Sequence, residues 1–557
     1  MAPAIRRRFQ AVVRTIGLPQ WLRRRVRPAH VERADSHQRS LESYIVREQD
    51  DARSISGGHM ASKRRELVTA LSAVAVLAVV CASPGLHGEP VAAAAAVKAA
   101  ARPAKDPRLA GSYMFKKNGW TYVHLQGTPD QIGFQHGYLL APEIADAFKA
   151  VKLDDTHTTR KKWAFFRTAA RTILWPHIPR EYREELSGIV AGLHARGVQL
   201  DLDDVVALNA FQELPEYYVP WYDKHHPTRG KTSASLSDAK VLGHCSAFVA
   251  TGSWTKGGQI VMGHNAWTGY LTGERWDIIF DIVPEHGYRM LMDGFPGVIA
   301  SDDDFGVNSD GLMITETTMS DFHGWNSNGI PEFVRAREAM QYASSIDDYV
   351  KIMLKGNNGG YANDWLLGDR KTGEIAQFEL GLRAWKLWRT KNGYYVGANF
   401  VSDPKVMKLE TTFNPNDPSI SPNARHVRWD ELMKEYKGRI DPALAEKFES
   451  DTYDAYTKKE GADLRTLCGE GEKDSAGEPG WGVKPFDPMG AVQGKVIDSE
   501  MAKDMRLIAH AGHPDGDNFY AKPFLAAHPQ YDWQAPELRD MLSGPWTDFR
   551  AGEHSGH

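Results

Sequence analysis

Cysteine is scarce in this chain: its 557 residues hold three, Cys81, Cys245 and Cys468. A disulfide framework of the kind that staples small secreted domains is therefore excluded. The body of the chain has material for one bridge at most, and for none if Cys245 must stay free as a nucleophile. A membrane-spanning run is also missing, since the apolar stretch from Leu67 to Val80 falls short of the roughly 20 residues a bilayer requires. There is no basic excess. The net charge is -4, and the arginine triplets at 6–8 and 23–25 lie in an N-terminal segment that is not expected to belong to the folded body, so nothing points to nucleic acid. No glycine loop of the phosphate-cradling type occurs, so no nucleotide is implied. What remains is 42% hydrophobic and 25% charged residues, an ordinary globular balance with enough apolar material for a sizeable core. Length alone leaves the number of domains open.

Near the start, Met60 is followed by Lys63, Arg64 and Arg65, the apolar run, and an alanine-rich stretch at 92–101. That order reads as the basic, apolar and small-residue regions of a signal peptide. Met60 is the better start, and residues 1–59 are an extension or a misassigned upstream start. Arg64-Arg65 also resembles a twin-arginine export signal. A lipoprotein reading through Cys81 fails on the bulky Val80 before it. The expected division is an extension at 1–59, a signal peptide and linker at 60–105, a helical small fragment at 106–244 and a main fragment at 245–557, with the product secreted or periplasmic.

Thr128-Pro129-Asp130-Gln131 reads as a helix start with a capping box, and the helix is expected to run to about Lys149. A further helix is expected over Glu181–Ala195. Residues 222–242 are polar and turn-rich, an exposed linker. From Gly243 the pattern changes to strands: Ser246–Trp254 and Gln259–His264 flank a hairpin centred near Lys256-Gly257, and 276–283, 288–293 and 312–319 follow. Residues 331–355 read as two helices parted near Ser345, and hairpins are expected at 365–379 and at 384–399 around Asn392-Gly393. This order predicts an α+β fold with two stacked antiparallel sheets covered by helices.

Cys245 taken alone is most simply a small buried hydrophobe, but its context changes that reading. It opens a strand directly after a flexible linker. Cutting between His244 and Cys245 would leave a thiol and a free α-amine on one residue, and that amine titrates near ~7.7–8, suited to accept the thiol proton. A regular hairpin would set Cys245 opposite about Thr268, with Asn265 roughly 10 Å along the strand at about 3.3 Å per residue.

The residues 243–248, Gly-His-Cys-Ser-Ala-Phe, followed by Gly263-His264-Asn265-Ala266-Trp267, resemble the nucleophile strand and the His-Asn-x-Trp strand of phospholipase B-like proteins. Gly127-Thr128-Pro129 with Gly133-Phe134-Gln135-His136-Gly137 upstream, and Glu316-Thr317-Thr318, Asp303-Asp304-Phe305, Tyr361-Ala362-Asn363-Asp364-Trp365, Ser421-Pro422 and the stretch from His528 to Thr547 downstream, continue the likeness over about 110–550. The resemblance extends to the acyl-coenzyme A:6-aminopenicillanate acyltransferase-like and bile salt hydrolase-like families. It implies the four-layer αββα sandwich of N-terminal-nucleophile (Ntn) hydrolases, with self-cleavage at His244/Cys245. It also implies Cys245 as nucleophile, Asn363 and the backbone N–H of Thr318 as oxyanion donors, and a late arginine, Arg428 rather than Arg425; His264 and Asn265 read as orienting the new amine and steadying the thiolate, or else as a hydrogen-bonded structural pair. His136 stands at a family position on the helix after Thr128, a buried histidine satisfied by backbone groups explains it equally well, and it is not counted among the catalytic residues.

The activity so implied is hydrolysis of an acyl ester or amide. The partners would be an acyl substrate such as a phospholipid, transient contact with a membrane surface, and the small fragment remaining associated. N-acyl amide hydrolysis or acyl transfer, and a non-catalytic binding protein retaining the fold, are the competing readings. His510, His513, Asp515, Asp517 and His528 gather in the tail without a zinc-ligand motif, so neither a metal nor another cofactor is expected.

Overall fold

The computed structural model describes residues 106–227, 245–301, 305–479 and 482–555. The extension, the signal peptide, most of the linker, His244, Asp303 and Asp304 lie outside the described residues. The strands are, in chain order, β1 (Tyr113–Lys117), β2 (Trp120–Gly127), β3 (Ser246–Thr251), β4 (Val261–Gly269), β5 (Ile278–Pro284), β6 (Met290–Gly294), β7 (Gly306–Asn308), β8 (Leu312–Thr318), β9 (Asn363–Asp369), β10 (Glu374–Leu380), β11 (Trp385–Thr390), β12 (Gly393–Gly397), β13 (Tyr453–Asp454), β14 (Lys459–Glu460), β15 (Met489–Asp498), β16 (Arg506–Ala511) and β17 (Thr547–Arg550). One sheet runs β1-β2-β5-β6-β7-β8-β9-β10-β11, the other β12-β3-β4-β15-β16-β17.

The strand alternation explains the layering. Ala247 and Val249 of β3 point into an apolar layer shared with Tyr122, Ile279, Leu291 and Leu366 of the larger sheet, while Phe248 and Ala250 between them face Trp429 and Phe448 on helices Ser421–Glu435 and Pro442–Glu449. The outer face of the larger sheet, including Val123, Phe280 and Leu367, packs on helices that carry Ile144, Leu186 and Val205. Each large side chain so buried contributes roughly 1.5–3 kcal/mol. The result is the expected αββα sandwich, antiparallel except where β2 runs parallel to β5. Among the described residues no helix is long and apolar enough to cross a membrane.

Thr128 caps helix Pro129–Leu139, and both halves of the capping box are present. The helix breaks at Leu140 and resumes as Ala141–Thr159. It lies against helix Arg180–Ala195 through four glycines at i, i+4 spacing. A Cβ at Gly133 would sit 1.9 Å from Glu185 O, one at Gly137 2.1 Å from Ile189 O, and one at Gly192 2.3 Å from Phe134 O. Only glycine permits that approach.

Three local expectations are corrected. The segment 106–244 is not all helical: it opens with the β1–β2 hairpin, turned by Asn118 and Gly119, both with positive φ, as a type I′ turn demands. The β3–β4 turn spans two short 3-10 turns and pairs Ser246 with Asn265, so Cys245 stands beside that pair and not opposite Thr268. Finally, 384–399 is not a hairpin. β11 pairs with β10 in the larger sheet and β12 pairs with β3 in the smaller one, so the Asn392-Gly393 turn carries the chain from one layer to the other.

Candidate active site

Cys245 is 1% exposed and has φ 111°, a backbone region that costs a non-glycine residue on the order of 1–3 kcal/mol and persists only where its surroundings hold it. It shares the parity of Ala247 and so faces the layer between the sheets. There its Sγ lies 3.7 Å from Glu316 Oε1, an oxygen that also accepts from Tyr361 Oη at 2.9 Å. Glu316 sits on β8, in the opposing sheet. His264, paired with Ala247 across β3 and β4, points into the same space, and the ligand atoms of Cys245, His264 and Glu316 lie within 4.8 Å of one another. Burial, then the charge of nearby Lys495, holds the His264 imidazole well below its usual pKa, so it is neutral at pH 7. Lys495 is itself fully buried and ion-paired with Asp293 at 2.5 Å.

The carbonyl of Cys245 is held from the helical side. Arg425 Nη1 donates to Cys245 O at 2.6 Å, its Nη2 to Asn399 Oδ1 at 2.7 Å and its Nε to Ser421 Oγ at 2.8 Å. The guanidinium also stacks 4.4 Å above the Trp267 ring. Burial lowers its pKa to about 9, which still leaves it a cation at neutral pH. Asn399 passes the connection on, donating through Nδ2 to Thr318 O at 2.8 Å. Thr318 is in turn the register partner of Asn363. Asn363 is fully buried, and neither its Nδ2 nor its Oδ1 has a hydrogen-bond partner. A buried primary amide left in that state is costly and points to a role outside the fold's own bonding.

A family model described as Phospholipase B matches residues 143–384. Over that stretch, less than half of its length, the chain is similar to phospholipase B-like proteins. It is 26% identical over 273 residues to phospholipase B-like 1 of Bos taurus, covering 43% of this chain and 48% of the bovine protein. An uncharacterized protein of Archaeoglobus fulgidus is 27% identical over 277 residues, 48% of this chain and 44% of that one. The acyl-coenzyme A:6-aminopenicillanic-acid-acyltransferase 40 kDa form of Emericella nidulans is 24% identical over 251 residues, 42% of this chain and 57% of the enzyme. The chain thus spans about half the length of the curated relatives it matches.

The structure brings Cys245 and His264 together, reaches Thr318 and its partner Asn363 from Cys245 through Arg425 and Asn399, and sets two of the expected residues elsewhere. Asn265 turns to the other face of β4, where its Nδ2 donates to Glu449 O at 2.7 Å and Leu467 O at 3.0 Å. Arg428 pairs with Asp451, through Nε at 2.9 Å and Nη2 at 2.6 Å, and stacks on Tyr453. The arginine that touches Cys245 is Arg425. The helix period could have shown this, because Ser421, Arg425 and Trp429 recur every four residues on the buried face. Glu316 and Tyr361 stood inside recognised motifs but with no role attached. Asn399 carried no local signal, since it reaches the site only through the layer change before β12. His136 is buried and its Nε2 accepts from Gly297 N at 2.9 Å, with burial taking its pKa down to about 3. That is the buried, backbone-satisfied reading of it.

Proposed function

We propose that the chain is an exported, self-processing Ntn hydrolase that cuts itself between His244 and Cys245 and then cleaves an acyl ester or amide through a thioester on Cys245. The observation that carries this reading is the placement of Cys245: directly before β3, buried, held at positive φ and tied by its carbonyl to Arg425. A cysteine that served only as packing would need neither the backbone conformation nor the cation.

In the proposed reaction the thiol gives its proton to the α-amine freed by the cut, and the sulfur attacks the acyl carbonyl carbon. Asn363 Nδ2 and the Thr318 backbone N–H donate to the oxygen as it becomes negative. Collapse of the intermediate breaks the C–O or C–N bond, and the leaving group takes the proton back from the ammonium. Water then attacks the thioester, and the thiol is restored. A preorganised amide of this kind is worth roughly two to three powers of ten in rate, which gives a reason for the unpartnered Asn363 side chain. The thiol's 1% exposure fits a precursor in which substrate is kept out until processing. The acyl group of a phospholipid is the substrate class we favour, reached by transient contact with a lipid surface.

Intact mass and N-terminal sequencing of the purified protein test the first half of the proposal. Two fragments meeting at 244/245 are expected, and Cys245→Ala should remain one inactive chain. An uninterrupted wild-type chain that turns over acyl substrates at full rate would overturn it. A panel of phospholipid esters set against N-acyl amides tests the second half.

A further inference from the structure

A second group of ionisable side chains lies apart from Cys245, where Glu470 and Glu472 meet the tail. The ligand atoms of Glu470, Glu472 and His513 lie within 4.8 Å of one another, and so do those of Glu470, Asp515 and Asp517. The start of β15 fixes both sides of the group: Glu470 bridges Gly490, and His513 Nδ1 lies 2.6 Å from the carbonyl of Ala491. A carbonyl only accepts, so Nδ1 carries the ring proton and Nε2 keeps its lone pair. That lone pair is fully buried without a hydrogen-bond partner and faces Glu470 Oε2 at 3.6 Å and Glu472 Oε1 at 3.9 Å. Tyr270 Oη donates to the far oxygen of Glu472 at 2.5 Å, and Lys473 pairs with Glu470 at 2.7 Å and with Asp517. Lys473 reaches the same Glu470 oxygen that faces the imidazole, but among the described residues nothing donates to the His513 Nε2 lone pair itself, which faces acceptors only. One lysine stands against four carboxylates, so the group carries an excess of negative charge.

We infer that this group binds one divalent transition cation of the zinc class, with His513 Nε2, Glu470 and Glu472 as ligands and Asp515 as the fourth. Tetrahedral zinc with ligands near 2.0–2.1 Å sets its donor atoms about 3.3 Å apart, so separations of 3.6 and 3.9 Å need only a small closure. The imidazole selects against calcium and magnesium, which take oxygen donors. The Ala491 carbonyl on Nδ1 is the outer partner that a ligating histidine ordinarily has. Bound there, the ion clamps the 470–473 segment to the tail at the root of β15, next to the strand that carries Trp267.

The test uses the full chain, freed of metal by chelator and titrated with zinc chloride by calorimetry, with metal content and thermal unfolding read in parallel. One saturable equivalent and a rise in unfolding temperature are expected, together with at least tenfold weaker binding in Glu470→Gln and His513→Gln. Should either buried variant fail to fold, Asp515→Asn at the outer side is expected to weaken binding severalfold. Cobalt(II) in a Cys245→Ala chain is expected to give the strong visible bands of a tetrahedral site. Absence of saturable zinc binding, or binding of unchanged strength in these variants, overturns the inference.

Discussion

Replacing Arg425 with methionine tests whether the cation on the Cys245 carbonyl drives processing. The substitution removes the guanidinium from above the Trp267 ring and with it three hydrogen bonds, to Cys245 O, Asn399 Oδ1 and Ser421 Oγ. Hydrogen bonds from a charged donor are worth about 1.5–3 kcal/mol each, and a buried acceptor deprived of its donor costs about 1–3 kcal/mol. Against this, a desolvated cation disappears, which returns part of the loss. A net destabilisation of about 2–4 kcal/mol is expected. The consequence for chemistry is separate: without the guanidinium, Cys245 can relax from φ 111°, releasing about 1–3 kcal/mol of strain. At 1.36 kcal/mol per tenfold, that corresponds to processing about 5 to 150 times slower. The rate is read by intact mass over time after synthesis of the precursor, and the stability by urea unfolding in a Cys245→Ala background, where cleavage cannot intervene. Arg428→Met is the control. Its guanidinium goes to Asp451, and it is expected to process at the wild-type rate with a loss near 1 kcal/mol or less. Wild-type processing in Arg425→Met, or equal slowing in the control, would refute the argument.

Asn363→Ala is expected to lower kcat by roughly 100- to 1000-fold while unfolding within about 1 kcal/mol of wild type, because the amide it removes has no partner in the fold; a kcat within threefold of wild type would take it out of the oxyanion role. Stability is expected to fall between pH 6.5 and 8. Burial raises the Asp277 and Glu478 carboxyls to about 8, so each holds a proton in the folded protein that the unfolded chain has released. Their contribution is present below the unfolded carboxylate pKa and is lost as pH rises through 8. His136, His510 and His513, lowered by burial to about 3, 4 and 4, act in the opposite sense and only below about pH 6.5. A melting temperature that climbs steadily from pH 6.5 to 8 would contradict this.

Most of the layered architecture could be read from period and punctuation. The capping box at Thr128, the break at Ser345 and the alternation in β3 each follow from local chemistry, and each appears in the structure. Pairing partners were harder, because they are set by the opposing surface. Nothing near Asn392-Gly393 distinguishes a hairpin from a change of layer, since a tight turn serves both and the decision rests on β3 offering an open edge. The β1–β2 hairpin had a clear signal in Asn118-Gly119 that the surrounding helical patterns obscured. At the site, Cys245 and Asn363 were legible through their motifs. Arg425 and Arg428 are both helical arginines three residues apart, and only the depth of each face separates them. Asn399 and Glu316 join the site through tertiary contacts alone.

The parallel pairing of β2 with β5, from Thr121 beside Ile278 to Gly127 beside Pro284, makes the N-terminal portion an integral wall of the sheet. A recombinant product begun at Cys245 would leave Ile278–Pro284 as a raw edge of free backbone donors and acceptors, the surface that draws strands of neighbouring molecules together. Expressing the larger piece by itself is therefore expected to yield aggregate, whereas the whole chain is expected to fold with that edge covered.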